Sequence, residues 1–358
     1  MKFEQILKVA VRGGASDILL KTGQVPKFRH NGGLVPLQEG IPLTHEVLVE
    51  WISFMMPKNV RELFETKGEV DYAYESTFGA RFRVSCFKQR QQIGLVLRVI
   101  NNNIRTVEEL QLPIICNEIA TLKRGLVLVT GATGSGKTTT LAAIIEKINH
   151  ERAAHIITIE DPIEYVYKEA KSTINQREVG VDTASFATAL RGALRQNPDV
   201  ILVGELRDKE TTETALMAAE TGHLVLSTLH TFDAVDAINR ILSYFSPHQH
   251  KVIRSQLSST LKAVLSQRLL PRRDSAKMVP AIEIMLVNQL IKNVILEGDN
   301  FDAIHDAIHS GHDTYGMMSF DLAITELLTK GLISEEDALL AASSPSNLKL
   351  LMSGVDYK

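Results

Sequence analysis

Hydrophobic positions in this chain change their period and order three times between the two ends. From Met1 to Ile100 the pattern is mixed. It predicts an opening helix, short strands at Asp17–Leu20 and Pro26–Arg29, a helix near Glu46–Met56, and then a strand over Ala80–Phe87. That last run alternates apolar and polar residues, which buries one face and places Arg81 and Arg83 together on the other. Residues 101–113 are polar and aperiodic and read as a linker. From about Leu122 to Glu283 short apolar runs alternate with helical stripes such as Leu141, Ile144, Ile145 and Ile148. This is the order of a parallel sheet with helices on both faces. Beyond Asn288 only helical spacing remains, at Phe301–Ser310, Ser319–Lys330 and Ser334–Ala342. The expected division is therefore 1–100, a linker at 101–113, a core at 114–285 and a helical region at 286–358.

One junction in the core carries chemistry. The apolar run Leu126–Val129 leads into Gly131-Ala132-Thr133-Gly134-Ser135-Gly136-Lys137-Thr138, with Thr139 following, and a helix starts near Lys137. The octet fits GxxxxGK[ST], and strand, glycine loop and helix is the context in which that pattern cradles phosphate. Backbone N–H groups wrap the phosphates and the helix N-terminus adds partial positive charge. Lys137 reaches the β- and γ-phosphates, and the Thr138 hydroxyl faces Mg²⁺. The chain is expected to bind ATP with Mg²⁺.

Three further segments supply the rest of a hydrolytic site. Ile156–Ile159 ends in Glu160, Asp161 and, past Pro162, Glu164. Carboxylates crowded at the end of a buried strand call for a counter-charge, and Mg²⁺ at the phosphate edge provides one. Spacing alone does not rank the three. Asp199–Val203 leads through Gly204 to Glu205, the Walker B arrangement with Glu for the commoner Asp, so Glu205 is expected to hold Mg²⁺ through water. The run His223–His230 has a histidine at each end, roughly 23 Å apart if extended. Only His230 lies at the phosphate edge, where it would sense the γ-phosphate or position water; His223 reads as structural. Cations must meet the charge developing on the γ-phosphoryl oxygens. The candidates are Arg191 and Arg195 on one helix face, Arg207 just after Glu205, and Arg81 with Arg83 as arginine fingers.

Composition narrows the field. At 358 residues two or three domains are expected, and 44 % hydrophobic with 23 % charged residues is ordinary globular composition. A net charge of −3 argues against nucleic acid as the direct partner. Cys86 and Cys116 form neither a disulfide framework nor a zinc pair, which suits a reduced intracellular setting. No apolar run approaches ~18 residues and Met1–Asp17 lacks a signal-peptide core, so direct membrane insertion is not expected. The His305, His309 and His312 group is too polar all round to read as a metal site.

Taken together, GATGSGKTTT (131–140), TIEDPIEY (158–165), NPDVILVGELRD (197–208) and ETGHLVLSTLHT (220–231) resemble the Walker A, Asp box, Walker B and His box of the type II/IV secretion ATPase superfamily. ASDILLKTG (15–23), FRVS (82–85) and the tail 316–345 are similar to its PilT branch. The resemblance implies an α/β fold with a RecA-like P-loop ATPase core, an N-terminal PAS-like α+β domain and a C-terminal helical tail. It implies a homohexamer at the cytoplasmic side of the inner membrane, in which ATP hydrolysis drives domain rotations that turn a platform protein and retract a type IV pilus. By position, Glu164 becomes the catalytic glutamate, Glu205 the Mg²⁺-side glutamate, His230 the γ-phosphate histidine, and Arg81 and Arg83 the arginines of the N-terminal domain. Lys292 and Leu296 stand where PilT chains carry arginines, and Leu19 replaces a frequent histidine. The resemblance therefore also admits an accessory, PilU-like paralogue, and more remotely an extension or secretion ATPase.

Overall fold

The computed structural model describes residues 2–30, 33–38, 40–100, 104–275 and 277–352. Its contacts fall into two units: Met1–Asn103 with Pro162–Val166, and Ile104–Asp161 with Tyr167–Lys358.

Among the described residues the first unit is built on six strands: β1 (Asp17–Lys21), β2 (Lys27–His30), β3 (Gly33–Pro36), β4 (Glu69–Glu75), β5 (Arg81–Gln89) and β6 (Gln92–Ile100). They pair antiparallel in the order β3-β2-β1-β6-β5-β4. Alternation along β5 sends Phe82, Val84 and Cys86 into the core, while Arg81, Arg83 and Ser85 stay partly exposed on the opposite face. The core is completed by Phe3, Ile6 and Leu7 from the helix Phe3–Arg12 and by Leu48, Trp51 and Ile52 from the helix His45–Met55. The β5–β6 turn uses Arg90 (φ 50°) and Gln91 (φ 62°). Two-residue hairpins need positive φ, usually supplied by Asn-Gly, so the alternating pattern alone does not reveal this tight connection.

Among its described residues the second unit carries seven strands: β7 (Gly125–Thr130), β8 (His155–Glu160), β9 (Thr173–Glu178), β10 (Val200–Val203), β11 (Leu224–Leu229), β12 (Leu261–Pro271) and β13 (Met278–Leu286). Their order is β13-β12-β7-β11-β10-β8-β9. Every residue of β7, β10 and β11 is buried, as parallel strands covered on both faces require. Two features depart from the sequence reading. β9 is a polar edge strand with no apolar run to announce it. β13 is antiparallel to β12, because the connection between Pro271 and Met278 is too short for a parallel crossover, so the sheet is mixed.

Helices connect the parallel strands except β8 and β9, several of them started by side-chain caps: Asp208 accepts from Thr211 N–H and Asp233 from Asp236 N–H, each at 2.8 Å. After Gln289 the described residues form helices, including Gln289–Glu297, Phe320–Thr329 and Glu335–Ala341. Phe320, Ile324, Ile333 and Ala338 pack on Leu270, Val279 and Ala281 of β12 and β13. The Arg268 guanidinium lies 3.8 Å from the Phe320 ring centre and donates to the Ala341 carbonyl. On the outer edge of β13, Ile284 and Met318 exchange both backbone hydrogen bonds, at 2.7 and 3.0 Å. Asn101–Asn103, where the expected linker begins, lie outside the described residues. No helix among the described residues is long and apolar enough to cross a membrane.

Candidate active site

β7 delivers the chain to Gly131, and three glycines then turn it into the helix Lys137–Glu151: Gly131 at φ 141°, Gly134 at 82° and Gly136 at 91°. A Cβ on Gly131 would sit 2.4 Å from the Gln267 carbonyl oxygen of β12 and 2.5 Å from Ser135 Oγ, so only glycine fits. Lys137 is buried, and its Nζ donates to the Gly131 and Ala132 carbonyls at 2.8 and 2.9 Å. The helix opens directly from the loop, so its N-terminal end lies at the glycine turn. Around the loop the buried hydroxyls of Thr130, Ser135 and Thr231 and the Gln267 Oε1 lack a partner. Gln267 Nε2 donates to Thr140 Oγ1 at 2.9 Å, fixing the strand against the first turn of the helix. A cradle that admits no Cβ at Gly131 and is bordered by unused hydroxyls suits a phosphate chain.

Beside the loop lies a cavity of about 660 Å³, lined by Ser135, Gly136 and Thr139, by Leu269 and Arg272, and by Leu110, Gln111 and Leu112. Its size and mixed lining suit the nucleoside end of the ligand. Leu110–Leu112 belong to the stretch that reads as linker in the sequence, yet they join the second unit here.

At the C-terminal ends of β8, β10 and β11 the polar groups converge. Glu205 Oε1 lies 2.5 Å from Arg207 Nη2, and its Oε2 lies 3.6 Å from His230 Nε2. Arg207 Nη1 is 3.9 Å from Asp161 Oδ2. The Thr228 hydroxyl donates to the Gly204 carbonyl at 2.7 Å and Leu206 N–H to the Thr228 carbonyl at 3.1 Å, which hold the Glu205 turn against β11. Burial lowers the His230 pKa, and the Lys137 charge lowers it further against the opposing pull of Glu205. Glu160 is buried and accepts from the Thr158 hydroxyl at 2.7 Å and from Gln176 Nε2 at 3.3 Å.

Arg81, Arg83 and Glu164 belong to the first unit, which includes Pro162–Val166. Arg83 and Glu164 line one pocket of about 310 Å³ together with Arg98. Arg98 is the register partner of Arg83 across β5 and β6, and its Nε donates to Asp17 at 3.1 Å. Residue patterning offers no way to find Arg98, because facing across strands depends on the hairpin register. His223 Nδ1 lies 2.9 Å from the Ala218 carbonyl, in keeping with a structural role. Arg191 pairs with Glu210, whereas Arg195 lies beyond the helix Phe186–Ala193, so the pair does not share one regular helical face.

Glycine loop, buried lysine, and the acid–arginine–histidine group on a largely parallel sheet together define a P-loop ATPase. The chain belongs to the type II/IV secretion system protein family, which matches residues 2–309, and it is a PilT-like ATPase of that family. It is 42 % identical over 347 residues to the type IV pilus retraction ATPase PilT of Pseudomonas aeruginosa, covering 97 % of this chain and 100 % of that protein. Over 354 residues it is 41 % identical to the type IV pilus ATPase PilU of the same species, covering 98 % of this chain and 91 % of that one. The crystal structure of the pilus retraction motor PilT with bound ADP matches with a TM-score of 0.91 at 43 % identity, covering 98 % of this chain and 99 % of that one.

Proposed function

We propose that this protein is a hexameric motor whose ATP hydrolysis drives type IV pilus retraction, and with it twitching motility. The observation that carries the reading is 42 % identity, along practically the whole chain, to a retraction ATPase. The proposed subunit joins a PAS-like domain (1–100) through a linker (101–113) to a RecA-like core (114–285) and a helical tail (286–358). It works at the cytoplasmic side of the inner membrane against a pilus platform protein.

In this mechanism the loop Gly131–Thr139 holds the triphosphate through backbone N–H groups, and Lys137 exchanges its carbonyl partners for phosphate oxygens. Thr138 and Glu205 would hold Mg²⁺, with Glu160 and Asp161 as outer carboxylates, since this ion keeps water and phosphate oxygens and takes few protein ligands. When bound, the ion would supply charge neutralisation to the phosphate oxygens. Glu164 orients and polarises the attacking water, His230 contacts the γ-phosphate, and Arg81 and Arg83 offset the charge that builds on it.

A second reading, an accessory PilU-like subunit, is supported by 41 % identity to PilU and by Lys292 and Leu296 in place of arginines. Lysine does not reproduce the forked contact of arginine, and leucine makes none. Deleting the gene from a piliated host and measuring retraction and phosphate release by the purified protein separates the two. Loss of retraction with robust turnover supports the motor. Normal retraction, or tight ATP binding with negligible turnover, refutes it in favour of the accessory role.

A further inference from the structure

Glu283 sits in the middle of β13 with 3 % of its surface exposed, a costly place for a carboxyl group. Its Oε1 accepts two hydrogen bonds, from the backbone N–H of Ala234 at 2.9 Å and from the Ser266 hydroxyl at 3.2 Å. Those donors come from two parts of the nucleotide site. Ala234 opens the helix Ala234–Ser243, and only Thr231, Phe232 and Asp233 separate it from His230. Ser266 is the register partner of Thr130, the last residue before Gly131. Next along β12, Gln267 meets the loop through its carbonyl beside Gly131 and the helix that follows through its amide on Thr140.

One oxygen thus fastens the segment that follows His230 to the strand that braces the phosphate loop. The Asp233 side chain takes the N–H of Asp236, and Glu283 takes that of Ala234, which Asp233 leaves over, so the carboxyl ties the helix start to the sheet. Asp233 raises the energy of an ionised Glu283, and Arg268 on β12 opposes it only in part. An apolar residue in its place would leave the Ala234 N–H and the Ser266 hydroxyl without this shared acceptor, so the acid has a geometric task in joining them.

We infer that Glu283 is a positioning residue for His230, holding the turn after β11 at a fixed distance from the phosphate loop through Ala234 and Ser266. The inference rests on the reading of His230 as a γ-phosphate contact. Small displacements of a group that acts on the transition state lower turnover more than binding.

The test is steady-state ATP hydrolysis by the full chain. Glu283→Met, which keeps the bulk and removes the acceptor, should lower kcat about tenfold while KM stays within about twofold. Glu283→Gln retains an acceptor oxygen and should recover most of the rate. The decisive comparison is with His230→Ala: in that background Glu283→Met should cause no further loss, because it acts through the histidine. Additive losses in the double variant, or a normal kcat for Glu283→Met, overturn the inference. If Glu283→Met does not fold, Glu283→Asp, which withdraws the carboxylate by one methylene, should show the same kcat-only loss, and an unchanged rate there overturns it. A His230→Ala variant that turns over normally instead refutes the reading of His230 itself.

Discussion

Arg207 Nη2 lies 2.5 Å from Oε1 of Glu205, two residues past the end of β10. The arginine holds that carboxylate toward His230, which lies 3.6 Å from the other oxygen, and is itself more than half exposed. Its contribution to stability is therefore small, and its contribution to orientation is the larger effect. Arg207→Ala should reduce kcat by roughly tenfold or more while leaving the melting temperature near that of the parent. Phosphate-release kinetics beside a thermal melt check this, and an unchanged kcat shows that the pair is decorative.

Glu164 shares its pocket with Arg83 and Arg98. Glu164→Gln should lower hydrolysis by roughly 10²–10⁴-fold with ATP affinity retained. Arg83→Ala should lose rate well beyond any loss of affinity, since an arginine offsetting developing charge acts mainly on the transition state. Fluorescent-nucleotide binding alongside turnover reads both variants. Near-normal turnover in Glu164→Gln would end its assignment as the water-polarising group.

Gly131→Ala places a methyl group 2.4 Å from the Gln267 carbonyl at a φ of 141° that alanine avoids. Either β12 gives way or the loop opens. The expected outcome is loss of detectable ATP binding together with a melting temperature lower by several degrees, measured by calorimetry with and without nucleotide. Unimpaired ATP binding would show that the cradle tolerates the added carbon.

Burial raises the Glu283 pKa from 4.5 to about 7. Between these values the folded chain keeps a proton that the unfolded chain releases, so folding weakens as pH rises through this window. The contribution is greatest below about pH 4.5 and is lost above about pH 7, a change of roughly 3 kcal/mol. Glu283→Gln has no such proton. Denaturant titrations at pH 5 and pH 8 should show the variant gaining on the parent at the higher pH, and parallel curves would contradict the buried-acid account.

The glycine-loop part of the candidate site is legible in the sequence because each of its pieces is local. Leu126–Val129, the glycine loop and the stripe of Leu141, Ile144, Ile145 and Ile148 fix strand, turn and helix within one short segment. Glu205 and His230 follow from strand direction, which sends the C-terminal ends of a parallel sheet to one edge. What escaped depends on pairing between distant segments. β9 has no apolar run, since an edge strand beside β8 needs none. The antiparallel turn into β13 makes Glu283 face Ser266, and only the hairpin register reveals it. Arg98 opposite Arg83 is hidden for the same reason. The association of Pro162–Val166 with the first unit reflects tertiary packing that no local pattern encodes.

The paired hydrogen bonds of Ile284 with Met318 have a bearing on the solubility of shortened variants. β13 is the last strand on its side of the sheet, and an uncovered border of unpaired amides and carbonyls recruits other chains. Removing the polypeptide from Met317 onward would bare that border and, with it, the apolar side chains Leu270, Val279 and Ala281. The terminal helices thus act as a seal, and trimming them invites self-association before it touches nucleotide chemistry.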